Sequence, residues 1–90
     1  GIIALEPGMT QVKLIAMVKG IKQHRTKKGD LMAFLTLSDE AGECSGVLMP
    51  NLYAGINDRL NKGNFVMIEG NCEEEGSFFI KKIEILEKSE

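Results

Sequence analysis

The stretch RTKKGDLMAFLTLSDEAG, residues 25–42, decides how this chain folds. A short basic loop, Lys27-Lys28-Gly29, comes directly before residues 31–38, which alternate between an aliphatic set and a set that carries one aromatic, Phe34. Alternation with period two is typical of a strand with one face on a core, so Phe34 is predicted to point outward and Met32 with it. The turn of residues 39–42 then opens the next strand, with Gly42 where a positive φ is expected.

The rest of the chain extends this pattern into a small barrel. The predicted strands are residues 11–23, 31–38, 43–49, 64–72 and 77–86, with a short helix over residues 51–61. Gly20 and Gly46 are expected to mark a bend or bulge, and Pro50-Asn51 to cap the helix. Three strands, a helix and two strands, with the longest strand first, is the order of the five-stranded OB-fold barrel, an all-β class with one helix.

Length and composition limit the chain to one domain. Ninety residues leave no room for a second core, so residues 11–88 are predicted to form a single OB-fold domain after a lead-in of residues 1–10. Because the first residue is Gly1 rather than Met, we expect the domain to be a piece of a larger protein. Its predicted core includes Val66, Ile68, Tyr53 and Phe65, and one member of the Phe78-Phe79 pair.

The formal net charge of −2 hides an uneven distribution. Six Lys or Arg residues and no carboxylate lie between Lys13 and Lys28, whereas Glu73, Glu74 and Glu75 stand in a row near the last turn. A basic block on one side permits an anionic partner there, although such blocks also form plain solvated faces. The acidic run would repel phosphate, so a nucleic acid is expected nearer the first loop than the last.

The two cysteines, Cys44 and Cys72, lie far apart and form no CxxC pair. Two buried free thiols in a reducing compartment are the preferred interpretation, and one disulfide remains open. No signal peptide is visible and the longest apolar run is far too short to span a bilayer, so a cytoplasmic location without membrane contact is expected.

Catalysis is not predicted for this segment. The sequence contains no paired carboxylates at a useful spacing, no nucleophile beside a histidine and no complete phosphate-binding glycine loop, and no cofactor is expected. The single histidine, His24, is predicted to be a solvated loop residue.

Binding of a single strand is the chemistry that the residues favour. A basic loop beside an outward aromatic can hold phosphates and stack a base, which OB barrels do across their second and third strands. The candidate nucleic-acid-binding residues are Lys22, Arg25, Lys27, Lys28, Phe34, Thr36 and Ser45. Arg25 ranks first among the cations because a guanidinium binds phosphate bidentately, and Thr36 and Ser45 add neutral hydrogen-bonding groups.

The chain resembles the OB-fold domain of bacterial DNA polymerase III alpha subunits, the C-family replicative polymerases. The residues that carry the resemblance are Lys27-Lys28-Gly29, Met32-Ala33-Phe34-Leu35-Thr36-Leu37, Asp39, Gly42, Met49-Pro50, Tyr53, Val66-Met67-Ile68-Glu69-Gly70 and Lys82-Ile83-Glu84. Met49 stands where that family usually has Phe, Ala16 where Gly is common, and the triple-Glu turn is unusually acidic.

The resemblance implies a parent that is a DNA-directed DNA polymerase. This domain would bind the single-stranded template, with contacts to other domains of the parent and to replisome subunits. The catalytic aspartates and their magnesium ions would then lie in another domain.

Two other interpretations stay open. The anticodon-binding OB domain of class II aminoacyl-tRNA synthetases also carries an outward Phe at the position of Phe34, but favours Arg where this chain has Ser38. The third is an interaction module whose barrel packs on neighbouring domains and binds no strand tightly.

Overall fold

The computed structural model describes residues 1–74 and 76–86. Its elements, in chain order, are a 3-10 turn at Ile2–Ala4, β1 at Val12–Arg25, β2 at Leu31–Ser38, β3 at Glu43–Leu48, α1 at Pro50–Ile56, β4 at Phe65–Glu74 and β5 at Ser77–Leu86. This is the predicted order, and β2 and β5 have their predicted bounds. Glu75 and the predicted domain end at residue 88 lie outside the described residues.

The strands close into a barrel in the order β1-β2-β3-β5-β4. Every pairing is antiparallel except the short parallel ladder between β3 and β5. The N-terminal half of β1 pairs with β4 and its C-terminal half with β2, and the register shifts between Val18 and Gly20. The long first strand therefore serves two neighbours and bends at Gly20, as the sequence predicted. The prediction of an OB-fold barrel is confirmed.

The barrel interior is filled by inward-facing aliphatic side chains and one aromatic. Phe78, Leu37, Val66 and Ile68 have no measurable exposure. The helix α1 packs Tyr53 into this core, where the Tyr53 hydroxyl accepts a hydrogen bond from Gln23 Nε2 at 2.8 Å. Tyr53, Val66 and Ile68 were predicted core residues and are confirmed.

The lead-in is attached to the turn between β2 and β3. Ile2 is buried, and its backbone N–H donates to Asp39 Oδ2 at 2.7 Å. Asp39 Oδ1 accepts from the N–H groups of Ala41 and Gly42. These hydrogen bonds, that of Ile2 foremost, hold the pKa of the Asp39 carboxyl below its usual value. The turn is therefore shaped by the Asp39 side chain, and Gly42 does not adopt the predicted positive φ.

Several local predictions were wrong for reasons of packing. The helix begins with Met49 as N-cap and Pro50 in its first turn, and it ends at Ile56 rather than at residue 61. Leu60 is buried from the following turn, so its four-residue spacing from Ile56 reflects contact with the core rather than helix. Met32 lies on the outward face with Phe34, as predicted, but it is buried there without belonging to the central core cluster.

Gly46 marks close packing instead of a bulge. The β2–β3 register runs through it without a shift. A Cβ at this position would lie 2.8 Å from Leu37 Cδ1 and 2.9 Å from Ile80 Cδ1. The missing side chain therefore makes room for two core residues.

Both cysteines are buried and free, as the preferred interpretation had it. Burial raises the pKa of the Cys44 thiol to about 11, with smaller contributions from Cys72 and Asp39. No helix among residues 1–74 and 76–86 is long and apolar enough to cross a membrane.

Candidate nucleic-acid interface

The outer surface of β1, β2 and β3 carries four of the predicted binding residues on one face, called here the front face. Lys22 lies opposite Phe34 in the β1–β2 ladder, and Thr36 lies opposite Ser45 in the β2–β3 ladder. Directly opposite residues of antiparallel strands project to the same side of the sheet. All four side chains are exposed, with Phe34 at 37% of its maximum. The structure therefore brings Lys22, Phe34, Thr36 and Ser45 together.

His24 also belongs to the front face, and its prediction as a loop residue was wrong because it lies within β1. Strand β1 extends to Arg25, which places His24 two residues beyond Lys22 on the same side. The His24 and Phe34 rings are 6.0 Å apart between centroids and tilted by 53°. This separation is within the range of favourable aromatic pairs. Extending the predicted strand by one residue would have included His24, and alternation would then have placed it on the same side as Lys22.

Arg25 points away from the front face. By strand alternation it shares the side of Gln23, whose amide reaches Tyr53. The Arg25 guanidinium donates from Nη1 to the Gly29 carbonyl at 2.8 Å. Arg25 thus braces the loop between β1 and β2, and its predicted phosphate contact stays a prediction.

That loop, residues 26–30, is a tight and well-bonded turn, called here the lysine loop. Gly29 N–H donates to the Thr26 carbonyl and Thr26 N–H to the Asp30 carbonyl, both at 2.8 Å, and Gly29 has φ +91°. A turn closed by a residue with positive φ is a common three-residue hairpin loop, and glycine adopts that conformation without strain. Lys27 and Lys28 are held exposed at its tip.

Charge is distributed unevenly around the front face. Among the described residues, neither Lys22 nor the two lysines of the lysine loop form an ion pair, whereas Lys19 Nζ is 2.6 Å from Glu43 Oε2. At the other end, the exposed Glu74 lies opposite Ser77, which in turn lies opposite Ser45. The free positive charge is therefore at the end of Lys22 and the lysine loop, and the negative charge at the end of Ser45.

The front face continues onto β5 through the parallel ladder. Val47 pairs with Phe79 and Ser45 with Ser77, so Phe79 joins Lys22, Phe34 and Val47 in one line across four strands, called here the Phe34 row. Phe78 is fully buried and Phe79 is half-buried on the outside, which confirms that one member of this pair is core. Which strand Phe79 would lie beside could not be read from sequence, because parallel pairing joins segments far apart in the chain.

A second exposed apolar area lies on β1 and β4. Ile15 pairs with Met67 and Met17 with Phe65, and Ile15 and Phe65 are 61% and 46% exposed. We call Ile15, Met17, Phe65 and Met67 the β1–β4 patch. The prediction of Phe65 as core was wrong, because β4 buries Val66 and Ile68 and turns Phe65 and Met67 outward.

The described residues, 1–74 and 76–86, contain no group of three or more His, Cys, Asp or Glu side chains that could hold a metal ion. The Cys44 thiol, with its pKa near 11, is protonated at neutral pH. What the front face offers is an aromatic surface, hydroxyl groups and unpaired ammonium groups. These are the groups that stack bases and contact phosphates.

A closed five-stranded barrel with this strand order and a mixed aromatic and cationic face defines an OB-fold binding domain. Comparison with known families agrees. Residues 12–86 match the family described as OB-fold nucleic acid binding domain, and the chain belongs to that family.

Its relatives among curated proteins include DNA polymerase III alpha subunits, as the resemblance indicated. The subunit of Bacillus subtilis strain 168 is 38% identical over 80 residues, covering 86% of this chain. That of Halalkalibacterium halodurans is 40% identical over 62 residues, covering 69% of this chain. The chain matches only 6% to 7% of the length of these relatives.

A solved structure has the same fold. The crystal structure of a domain of replication protein A from Methanococcus maripaludis superposes with a TM-score of 0.81 at 22% identity, over 97% of this chain and 93% of that one.

Proposed function

We propose that this chain binds single-stranded DNA with little sequence preference, as one domain of a bacterial replicative polymerase alpha subunit. The observation that carries the proposal is the exposed Phe34, flanked by His24 and Lys22 and lying beside the lysine loop. An aromatic ring stacks on any base, and lysines contact phosphates without reading sequence. The relatedness to DNA polymerase III alpha subunits supports DNA as the partner.

Each front-face residue has a role under this proposal. Phe34 stacks one base, with His24 packed against its side. Lys22, Lys27 and Lys28 neutralise phosphates, and Arg25 keeps the lysine loop in shape while its free donors face solvent. Thr36 and Ser45 donate or accept hydrogen bonds on the same face.

The parent protein supplies the chemistry in this proposal. Nucleotide transfer and its magnesium ions belong to another domain, and this barrel holds template strand close to that site in the cytoplasm. Its further partners are the neighbouring domains of the polymerase and other replisome subunits.

The test is fluorescence anisotropy of a labelled oligo-dT with this chain at low and moderate salt. Phe34→Ala should weaken binding by about 5-fold to 150-fold, since stacking is worth roughly 1–3 kcal/mol per base. Phe65→Ala is the matched control, because it removes a somewhat more exposed Phe from the β1–β4 patch and should leave affinity unchanged. Equal effects of the two variants, or no binding even at low salt, would refute the proposal.

The β1–β4 patch favours a second candidate function, docking onto another protein surface. Ile15 and Phe65 are exposed as diagonal neighbours on the outer side of two paired strands, and a contiguous exposed apolar area marks an interaction site. If the barrel is a docking module only, it will bind no oligonucleotide at low salt and will associate with the rest of its parent, and Phe65→Ser will abolish that association. The anticodon interpretation predicts instead that an anticodon stem–loop outcompetes oligo-dT of equal length.

A further inference from the structure

We infer that Phe79 on β5 is a second base-stacking position, so that the bound strand crosses the barrel from β2 over β3 to β5. This inference rests on the proposed single-strand binding and adds a site that lies outside strands β2 and β3. It starts from the Phe34 row, in which Phe34, Val47 and Phe79 are consecutive partners on three neighbouring strands.

The spacing of the two rings suits two separate bases. Neighbouring strands are about 4.8 Å apart, so Phe34 and Phe79 stand roughly 10 Å from each other with Val47 between them. Two rings at this separation cannot stack on each other. The intervening Val47 is half-buried and offers an apolar floor between them.

The core does not account for the outward Phe79. Phe78 and Ile80 fill the interior on either side of it, with 0% and 1% exposure. Neither Phe79 nor Val47 is among the partly buried residues that pack against the core cluster. Two apolar side chains therefore lie on the outer surface in line with Phe34, which is itself exposed.

The surroundings of Phe79 fit a base better than a phosphate. Its β4 partner is Asn71, and Ser77 lies two residues before it on the same face. Beyond Asn71, Glu73 and Glu74 are exposed at the end of β4. Neutral hydrogen-bonding groups next to the ring can contact base edges, whereas the carboxylates exclude backbone phosphates from this end. In this arrangement the lysines contact most of the phosphates, and the bases contact the side chains of the Phe34 row.

Anisotropy titrations of this chain with oligo-dT of increasing length distinguish stacking at Phe34 alone from stacking at both Phe34 and Phe79. Wild-type affinity should keep rising with length until both rings are covered, whereas Phe79→Ala should stop gaining affinity at a shorter length. At full length, Phe79→Ala should bind about fivefold more weakly, which is the lower end of the stacking range because the ring is half-buried. Phe79→Leu keeps most of the apolar volume but removes the aromatic ring, so it should show the same loss of affinity. If the alanine variant does not fold, the leucine variant tests stacking at Phe79 on its own.

Phe65→Ala is again the control, and Phe34→Ala reports on the proposed function itself. If Phe34→Ala weakens binding while Phe79→Ala and Phe79→Leu match wild type in affinity and length dependence, stacking at Phe79 is refuted and the proposed function stands. If no variant changes binding, or wild type does not bind, both fail.

Discussion

On β1, strand alternation separates two cations that are close in sequence, Lys22 and Arg25. Lys22 and His24 lie on the front face, while Gln23 and Arg25 turn to the other side and are held by Tyr53 and Gly29. A count of positive charges between residues 13 and 28 treats these cations as equivalent. Their positions in the strand place Lys22 and Arg25 on opposite sides of the sheet.

This difference can be measured through salt dependence. Each phosphate contact adds roughly −0.7 to the slope of log affinity against log salt for single strands. Lys22→Ala should therefore reduce the slope by about 0.7, whereas Arg25→Ala should lower affinity only slightly and leave the slope nearly unchanged. Lys62→Ala, an exposed lysine in the turn before β4, is the control. A larger slope change for Arg25→Ala than for Lys22→Ala would show that the guanidinium contacts phosphate after all.

The buried Cys44 thiol is expected to react slowly with alkylating agents. With its pKa raised to about 11, only about one molecule in a thousand is thiolate at pH 8, and thiolate is the reactive form. In a Cys72→Ala background, which removes only the smaller contribution of Cys72, alkylation of the folded chain by iodoacetamide should still rise about tenfold per pH unit well above pH 9. A plateau near pH 9 would show that the thiol keeps its ordinary pKa.

The same shift affects stability in a defined direction. The folded state holds the Cys44 proton more tightly than the unfolded state does. The contribution of this thiol to the free energy of unfolding is therefore fully present below the ordinary pKa of 9.0 and is lost as the pH rises through about 11. Urea unfolding at pH 8 and pH 10.5 should show a smaller fall in stability for Cys44→Ala than for wild type.

At the scale of elements, two strand glycines, Gly46 on β3 and Gly70 on β4, serve different purposes. A Cβ on Gly46 would meet the ends of two flexible side chains, Leu37 and Ile80. A Cβ on Gly70 would overlap the Phe79 carbonyl oxygen, where the β4–β5 register shifts. Side chains can rearrange, whereas a paired backbone cannot move without breaking its ladder.

Gly46→Ala should therefore cost about 1–3 kcal/mol, the usual range for overpacking, and Gly70→Ala should cost more than that. The measurement is urea unfolding followed by circular dichroism. Gly55→Ala, at an exposed helical position with open space around it, should be neutral or slightly stabilising. Equal losses at Gly46 and Gly70 would contradict the assigned roles.

The elements also show what the sequence could and could not predict. Strand β2 has the predicted bounds because period-two alternation and turn residues define both of its ends, and β5 begins where predicted because Gly76 ends the turn before it. The helix was predicted too long, because Leu60 is buried from a turn and imitates helical spacing. Phe65 was misplaced because β4 is apolar on both faces, and hydrophobicity alone does not say which face is inside.

The candidate site was predictable where it depends on one strand and not where it depends on pairing. Phe34 could be placed from the alternation of β2 alone. Its neighbours on the front face could not be placed in this way. The position of His24 depends on where β1 ends, and that of Phe79 depends on a parallel ladder between residues about thirty positions apart. No local pattern in the sequence contains that information.

For the whole molecule, the opposed charges at the two ends of the front face matter more than the net charge of −2. Under the proposed function, the lysine end attracts the strand and the Glu73–Glu74 end repels it. Glu73→Gln combined with Glu74→Gln should therefore raise oligo-dT affinity severalfold at low salt, with the gain vanishing as salt screens the charges over about 8–10 Å. Glu40→Gln, in the β2–β3 turn, is a control of equal charge change per site. If the gain in affinity persisted at high salt, its cause would be a new contact with the oligonucleotide rather than the removal of charge repulsion.

The parallel ladder between β3 and β5 has a consequence for how the chain is made. On a ribosome, about thirty residues separate the end of β3 from the start of the strand that covers it. At about 5–20 residues per second, the nascent chain exposes that backbone edge for roughly 1.5 to 6 seconds. An open edge pairs readily with other chains. The risk of mispairing during synthesis is therefore set by the speed of translation through residues 49–77, and the stability of the finished barrel does not reduce it.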